Sequence, residues 1–355
     1  MITVFGDACL MFACLSAAEL KNAGMNVYQI ALAERCCLRR VRRGIYVVTR
    51  TCAEPAHLFV ATIAEAESTN LPQESKGMLK AGEDLRVMVR SYVDDLPQDA
   101  VFSHRSALII HGLSVPYFAQ GVNPYAEAVH PKFGVCRTSI LLRKRELSDD
   151  DTVLVNGIRT TSVLRTLFDI ARDFPLAFAV AVVDEAVRQS HVSAGDFVSY
   201  CGSRPPRTHQ ARIASVLEII DPRRESIAES ITAVRFVEHS VPGFEPQVVI
   251  RDELGNFVAR TDFANEQAGV IAEFDGAGKY YLKNADPRQE FELERRREYR
   301  FRNLGYTVFR LTWSQIFSAE QFIRIRTAVE QKTKRRPRGT VAVGNTPKHG
   351  LSETR

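Results

Sequence analysis

The sequence predicts an α/β (α+β) multidomain fold, and three observations carry that expectation. At 355 residues the chain exceeds what one ordinary core organises, which argues for two or three domains. A hydrophobic share of 45% with 25% charged residues is that of a globular protein with material for buried cores. Helix-capping signals alternate with short β-prone runs, and in the last third they fall in the order helix, three strands, helix, strand, helix. No apolar run reaches the roughly 18 residues of a membrane span, so no membrane partner is expected. The apolar start, Met1 to Leu15, contains Asp7 and has no basic leader region; it reads as a first helix rather than a signal peptide.

Residues 1–52 form the first expected domain. Ser16 with Glu19 three residues later is a capping box, opening a short helix that ends at Ala23, with Gly24 beyond its C-cap. Asn26 caps a second helix, Val27 to about Cys37. Helix, glycine turn, helix is the helix-turn-helix pattern. From Leu38 to Val48 a basic stretch meets the β-favouring Ile45, Tyr46, Val47 and Val48 across a turn at Arg43 and Gly44, which supplies a wing. In a winged helix the second helix reads DNA. Gln29 and Arg35 can then reach base edges or phosphates. Arg39, Arg40, Arg42 and Arg43 lie beside it to meet phosphates. The plainer alternative is a basic turn that only keeps the surface soluble.

A mixed α/β domain follows over residues 53–212. Ser68 to Glu83 is polar and reads as an exposed loop. Ser103 caps a helix stopped by Gly112, and short β-prone stretches lie between Val115 and Ile158. Thr161 or Ser162 caps Val163 to Ala171, and Pro175 starts Leu176 to Gln189. His104 and His111, at a helix start and a helix end, read as hydrogen-bonded histidines rather than catalytic ones. The third domain spans residues 213–331. It has a helix from Glu225 to His239, strands at Gln247 to Arg251, Phe257 to Ala264 and Val270 to Asp275, a charged helix from Pro287 to Leu304, a strand from Tyr306 to Leu311, and a last helix, Gln315 to about Glu330, capped by Ser314. Phe291, Leu293, Tyr299, Leu304 and Trp313 are its core candidates beyond the strands. Residues 332–355 read as a basic disordered tail.

The net charge of +5 resides in that tail. Gln331 to Arg355 holds seven basic residues and one acidic, which leaves 40 basic against 41 acidic elsewhere. A nucleic-acid surface must therefore be local, and residues 1–52, with seven basic and three acidic groups, are the place for it. The seven cysteines, at 9, 14, 36, 37, 52, 136 and 201, include no CxxC pair and no paired histidine spacing. Neither a zinc site nor a disulfide framework is expected, and a reducing, cytoplasmic setting fits. Cys36 and Cys37 read as helix packing.

The chemistry is concentrated in two strands. If Phe257 to Ala264 and Val270 to Asp275 form a hairpin with the loop Glu266 to Gly269, Asp262 faces Glu273 and Arg260 faces Asp275. Two opposed carboxylates repel unless a cation lies between them, and a divalent ion with oxygen ligands is the natural answer. Glu229, on the preceding helix, is a third candidate ligand. Lys279, past the Asp275 turn, can stabilise charge on a phosphate. Such a site suits phosphodiester hydrolysis, in which the metal activates water and offsets charge on the reacting phosphorus. The plainer alternative is a solvated strand face, with Asp275 simply paired to Arg260. Glu290, Glu294 and Arg297, at helical spacing, could likewise form a salt-bridged outer face.

Glu229, Gln247, Asp262, the run Glu273 to Gly276 with Lys279 and Tyr280, then Glu294, Arg297, Leu304 to Tyr306 and Val308 to Arg310 occur in an order that resembles the very-short-patch-repair-like (Vsr-like) branch of the PD-(D/E)XK nucleases. The resemblance covers about a hundred residues and implies a restriction-endonuclease-like three-layer α/β domain. It also implies Mg2+ (or Mn2+) on Asp262 and Glu273, with Glu229 as the early helical acid, Gln247 and Arg297 near the site, and Lys279 assisting. Asp275 stands where that family usually has its lysine, and Lys279 would replace it from the following turn.

The front of the chain resembles AbiEi-type antitoxins, winged-helix repressors of toxin–antitoxin systems. Ala18 to Leu20 with Gly24, Arg39 to Tyr46, Ser103 to Ala107, His111 to Leu113 and Thr161 to Asp169 carry it. Together the resemblances imply a cytoplasmic DNA-binding protein with a metal-dependent endonuclease domain, in genome defence or toxin–antitoxin biology, and a cognate toxin as a further partner. The rival expectations are a transcriptional regulator or antitoxin with an inactive nuclease fold, and a nuclease directed at RNA.

Overall fold

The capping signals near the start of the chain are realised in the computed structural model, which describes residues 12–66, 77–116, 124–204, 209–275 and 287–335. Ser16 and Glu19 exchange backbone and side-chain hydrogen bonds at the start of α1 (Ala17–Asn22), and Asn26 and Gln29 do the same for α2 (Val27–Ala33). Gly24 and Gly44 both take positive φ, at the turns where a side chain would be strained. β1 (Cys14–Ser16), β2 (Leu38–Arg42) and β3 (Ile45–Val48) form an antiparallel sheet in the order β1-β3-β2. Leu20, Met25, Ile30, Ala33, Leu38 and Val48 fill the core beneath it.

Two expectations are corrected in this region. Cys14–Ser16 is a strand, because its backbone pairs with Ile45 to Val47 rather than closing on itself as a helix. The second helix ends at Ala33 instead of running to Cys37. Residues 34–37 form a tight turn, in which the Arg35 and Cys36 amides donate to the Leu32 and Ala33 carbonyls.

The chain divides into two compact units, Met1–Ile220 and Asp221–Arg355. In the first unit a 3₁₀ turn, Pro55–His57, leads into α3 (Leu58–Ala66), and α4 (Gly77–Arg90) follows. Part of the expected loop Ser68 to Glu83 is therefore helix; its residues 68–76 lie outside the described residues. A six-stranded sheet comes next, built from β4 (Val101–Phe102), β5 (Ala126–His130), β6 (Val135–Cys136), β7 (Ile140–Lys144), β8 (Thr152–Val155) and β9 (Ile158–Thr161). Its order is β6-β7-β5-β4-β9-β8.

The helices of this unit are α5 (His104–Ile110), α6 (Val163–Asp173), α7 (Leu176–Arg188), α8 (Ala194–Ser203) and α9 (Gln210–Ile219). Ser162 caps α6 through the Arg165 amide. α9 belongs to this unit, beyond the boundary expected at Arg212.

Buried ion pairs knit the first unit together. Glu127 is fully buried and receives Arg105 and Arg143, the latter at 2.9 Å. Asp151 receives Arg165 at 3.0 Å, Arg204 at 2.6 Å and the Tyr200 hydroxyl. His104 is hydrogen-bonded between Ser103 and Asp173, and His111 Nε2 lies 2.7 Å from the Thr161 carbonyl oxygen. Both histidines are thus tied into the fold.

The second unit starts with α10 (Ile227–Glu238), then β10 (Glu245–Arg251), β11 (Phe257–Asn265), β12 (Val270–Phe274), α11 (Pro287–Asn303), β13 (Thr307–Leu311) and α12 (Ala319–Arg335). β10, β11 and β12 are antiparallel neighbours and β13 joins β12 in parallel. Ile271 packs with Phe301 and Leu304 of the α11 side, whereas Val270 packs with Val329 of α12. Adjacent strand residues face opposite ways, so the two helices cover opposite faces and the unit has three layers. Phe236 of α10 stacks on Phe244 and meets Phe322 of α12 edge-on, which places α10 on the α12 side.

Some expected elements of this unit shift. Ser314 precedes only a 3₁₀ turn, Gln315–Phe317, without a side-chain cap, and the last helix starts at Ala319. Tyr299 is exposed rather than core, its place being taken by Phe301, while Trp313 is half-buried against Phe274. Phe291 and Leu293 have no described side chains, and residues 336–355 of the expected tail lie outside the described residues. Among the described residues, no helix is long and apolar enough to cross a membrane.

Candidate functional site

The hairpin register brings the acidic residues into one row. β11 and β12 pair Phe263 with Ala272, Ala264 with Ile271 and Asn265 with Val270, and the same register carried one residue further aligns Asp262 with Glu273. On the other side of β11, Gln247 stands between the pairs Pro246–Phe263 and Val248–Thr261, opposite Asp262. Glu273 in turn pairs with Arg310 on β13. Gln247, Asp262, Glu273 and Arg310 therefore span four adjacent strands. The regular pairing of β11 with β12 ends one rung earlier, at Phe263 and Ala272, and here the Asp262 carboxylate accepts the Phe274 amide at 2.8 Å.

Glu229 joins the row from α10. Its carboxylate accepts the Ser226 hydroxyl at 2.8 Å, the Glu225 amide at 2.9 Å and the Gln247 side-chain amide at 2.8 Å. Gln247 holds a φ of +55°, a region where a non-glycine residue is strained and which clusters at functional sites. Burial pushes the Glu229 carboxyl above the usual range. Hydrogen bonds from Glu225, Ser226 and Gln247 pull it back, and the negative charge of Asp262 pushes it further up. That last effect bears on metal fit: Glu229 feels the charge of Asp262, and a cation with oxygen ligands would offset it.

Two arginines already meet this row. Arg297 of α11 contacts Glu273 Oε1 and donates to the Arg260 carbonyl at 3.0 Å. Arg310 Nη2 lies 3.9 Å from Glu273 Oε2. Arg297 was expected near the site from its resemblance; Arg310 was missed, because only the parallel pairing of β13 brings it there. The expected Arg260–Asp275 pair is corrected: Arg260 bonds Glu225 at 2.8 Å, since the strands separate beyond Asp262 and the start of α10 lies closer. The Asp275 amide bonds Leu311 instead. Lys279 lies outside the described residues, as do the side chains of Glu290 and Glu294.

The basic wing divides into two groups. Arg39 pairs with Asp84, and Arg42 contacts Asp95, bonds the Ser91 hydroxyl at 3.1 Å and lies over the Tyr92 ring at 4.2 Å. These two hold the wing against α4 and the turn that follows it. Arg35, Arg40 and Arg43 are exposed and make no ion pair among the described residues. Gln29 is half-buried and its side-chain oxygen caps α2. A groove of about 700 Å³ runs along Arg39, Arg40, Arg42, Arg43 and Arg137.

Cys36 and Cys37, expected to pack within a helix, lie instead in the turn after α2. Cys36, Cys37, Cys52 and His57 converge, with all four ligand atoms within 4.8 Å of one another. The cluster escaped the spacing rules because its first two members are adjacent and its histidine is single. Three cysteines and a histidine within so short a stretch were the available signal.

No family model, curated protein or solved structure matches this chain.

Proposed function

We propose that the second unit is a metal-dependent nuclease domain and that the winged helix of the first unit brings it to DNA. The row of Gln247, Asp262 and Glu273 across adjacent strands, with Glu229 bonded to Gln247, carries this reading. Asp262 and Glu273 would hold Mg2+ or Mn2+. The ion would supply Lewis acidity to the scissile phosphate and to the attacking water. Glu229 orients Gln247 at the edge of the site, and Arg297 is placed to meet a phosphate oxygen. Arg35, Arg40 and Arg43 serve the DNA backbone. Genome defence or toxin–antitoxin biology would suit such a protein.

A second reading has its own support. Glu273 is already balanced by Arg297 and Arg310, and Asp275 occupies the place where the resembled nucleases carry lysine. On that reading the chain is a regulator or antitoxin whose nuclease fold does not cut. A nicking assay separates the two. Supercoiled plasmid should be nicked with Mg2+ or Mn2+ and left intact with EDTA. A protein that binds neither ion and cuts no DNA or RNA would be the regulator.

A further inference from the structure

The Cys36, Cys37, Cys52 and His57 cluster lies in the first unit, whereas the carboxylate row belongs to the second. Sγ of Cys36 is 3.6 Å from that of Cys37 and 3.8 Å from that of Cys52. His57 Nδ1 is 3.3 Å from Cys36 Sγ, 3.8 Å from Cys37 Sγ and 3.5 Å from Cys52 Sγ. One ring nitrogen cannot form good hydrogen bonds with three sulfurs at once. The sulfurs are also far beyond the roughly 2.05 Å of a disulfide.

A tetrahedral zinc site explains all five distances. Bonds of about 2.3 Å to sulfur and 2.0–2.1 Å to nitrogen place two sulfurs about 3.8 Å apart, and a sulfur and a nitrogen about 3.6 Å apart. Each of those five edges lies within about 0.3 Å of those values, and the sixth, Cys37 to Cys52, is no longer than 4.8 Å.

Backbone and side-chain hydrogen bonds hold the ligand-bearing segment in place. Cys36 and Cys37 sit in the turn that closes α2, where their amides donate to the Ala33 carbonyl at 3.0 and 2.9 Å. Thr49 and Arg50 bond the carbonyls of Cys37 and Cys36. Cys52 follows β3, and His57 ends the Pro55–His57 turn. Cys37 and His57 are buried and the other two half-buried, so a bound ion would be largely shielded from water.

We propose that Cys36, Cys37, Cys52 and His57 form a structural Cys3His zinc site that pins the end of the recognition helix to the segment leading into α3. Binding replaces the protons of three thiols, released to solvent, by Zn–S bonds, and the neutral imidazole donates through Nδ1. With four protein ligands the coordination is closed, as expected of a structural rather than a catalytic ion.

The test is elemental analysis of the full-length protein, purified under reducing conditions from zinc-supplemented cells, followed by cobalt exchange. One equivalent of zinc is expected. The cobalt form should show intense tetrahedral d–d bands together with thiolate-to-metal charge transfer, which a carboxylate site cannot produce. Cys52→Ser and His57→Ala should lose the metal, whereas Cys136→Ser, Cys201→Ser and Asp262→Asn should retain it. Because the ligand variants could also misfold, the wild-type protein supplies an independent measure: stripping with a strong chelator should lower the melting temperature, and zinc alone should restore it. A reduced, folded wild-type protein that takes up neither zinc nor cobalt would overturn the proposal. So would a folded Cys52→Ser protein with unchanged metal content and cobalt spectrum.

Discussion

Glu273→Gln tests the carboxylate row most directly. Glu273 is 6% exposed, contacts Arg297 through Oε1 and lies 3.9 Å from Arg310 through Oε2. Glutamine keeps the size and a carbonyl acceptor for Arg297 but removes the charge that holds a hard cation. Since changes one shell further out cost roughly 10–100-fold in metal affinity or activity, losing a charged ligand should lower cleavage at fixed Mg2+ by at least about 100-fold. The stability effect is small. Arg297 is 39% exposed, so solvent screens its ion pair and the loss costs about 1 kcal/mol. The melting temperature should therefore move by no more than about 4 °C. Plasmid nicking across a Mg2+ titration, a thermal melt and DNA binding in EDTA make the three measurements. Nicking equal to wild type at every Mg2+ concentration would refute the role of Glu273. A fall in activity accompanied by a collapse in melting temperature would refute the claim that the loss is chemical.

Three further outcomes are expected. Changing Arg40 and Arg43 to Ala should flatten the salt dependence of DNA binding by about one slope unit per lost phosphate contact, whereas Arg42→Ala should lower stability instead, because Arg42 is bound to Ser91 and Asp95; equal salt slopes in the double variant and wild type would remove those two arginines from the interface. Glu127→Ala leaves buried arginine charge without its carboxylate and should cost about 3–5 kcal/mol in urea unfolding, or about 10 °C in melting temperature; a loss within error of zero would show that the buried pairs do not matter. Burial alone would raise the Asp151 carboxyl, but hydrogen bonds from Tyr200 and Ser148 and the charge of Arg165 bring it down to about 2. Its contribution is therefore full above the unfolded value of about 3.9 and is lost as the pH falls towards the folded one. Unfolding free energies measured stepwise over that window should drop for wild type and less steeply for Asp151→Asn, and identical slopes would contradict the assignment.

What could be read in advance depended on how far apart the interacting residues lie. The Ser16–Glu19 and Asn26–Gln29 boxes operate within one helical turn, so residue type and spacing suffice to find them. Asp262 opposite Glu273 is nearly as local, because a short hairpin loop sets the register of the whole pair of strands. Arg260 marks the limit: the hairpin register extended to it pointed to Asp275, yet the paired rungs stop short of it and its side chain bonds Glu225 from another element.

By itself, then, the sequence determined the α/β character of the chain, most helix starts, the β11–β12 hairpin and the identity of the opposed acids. Each follows from backbone propensity, capping or period, which act between near neighbours. Tertiary structure alone decided the strand at Cys14, the pairing of Arg39 and Arg42 with α4 and the turn after it, the arrival of Arg310 beside Glu273, and the convergence of three cysteines on His57. These depend on which separate segments fold against one another, and a side chain takes whatever partner that packing brings within reach.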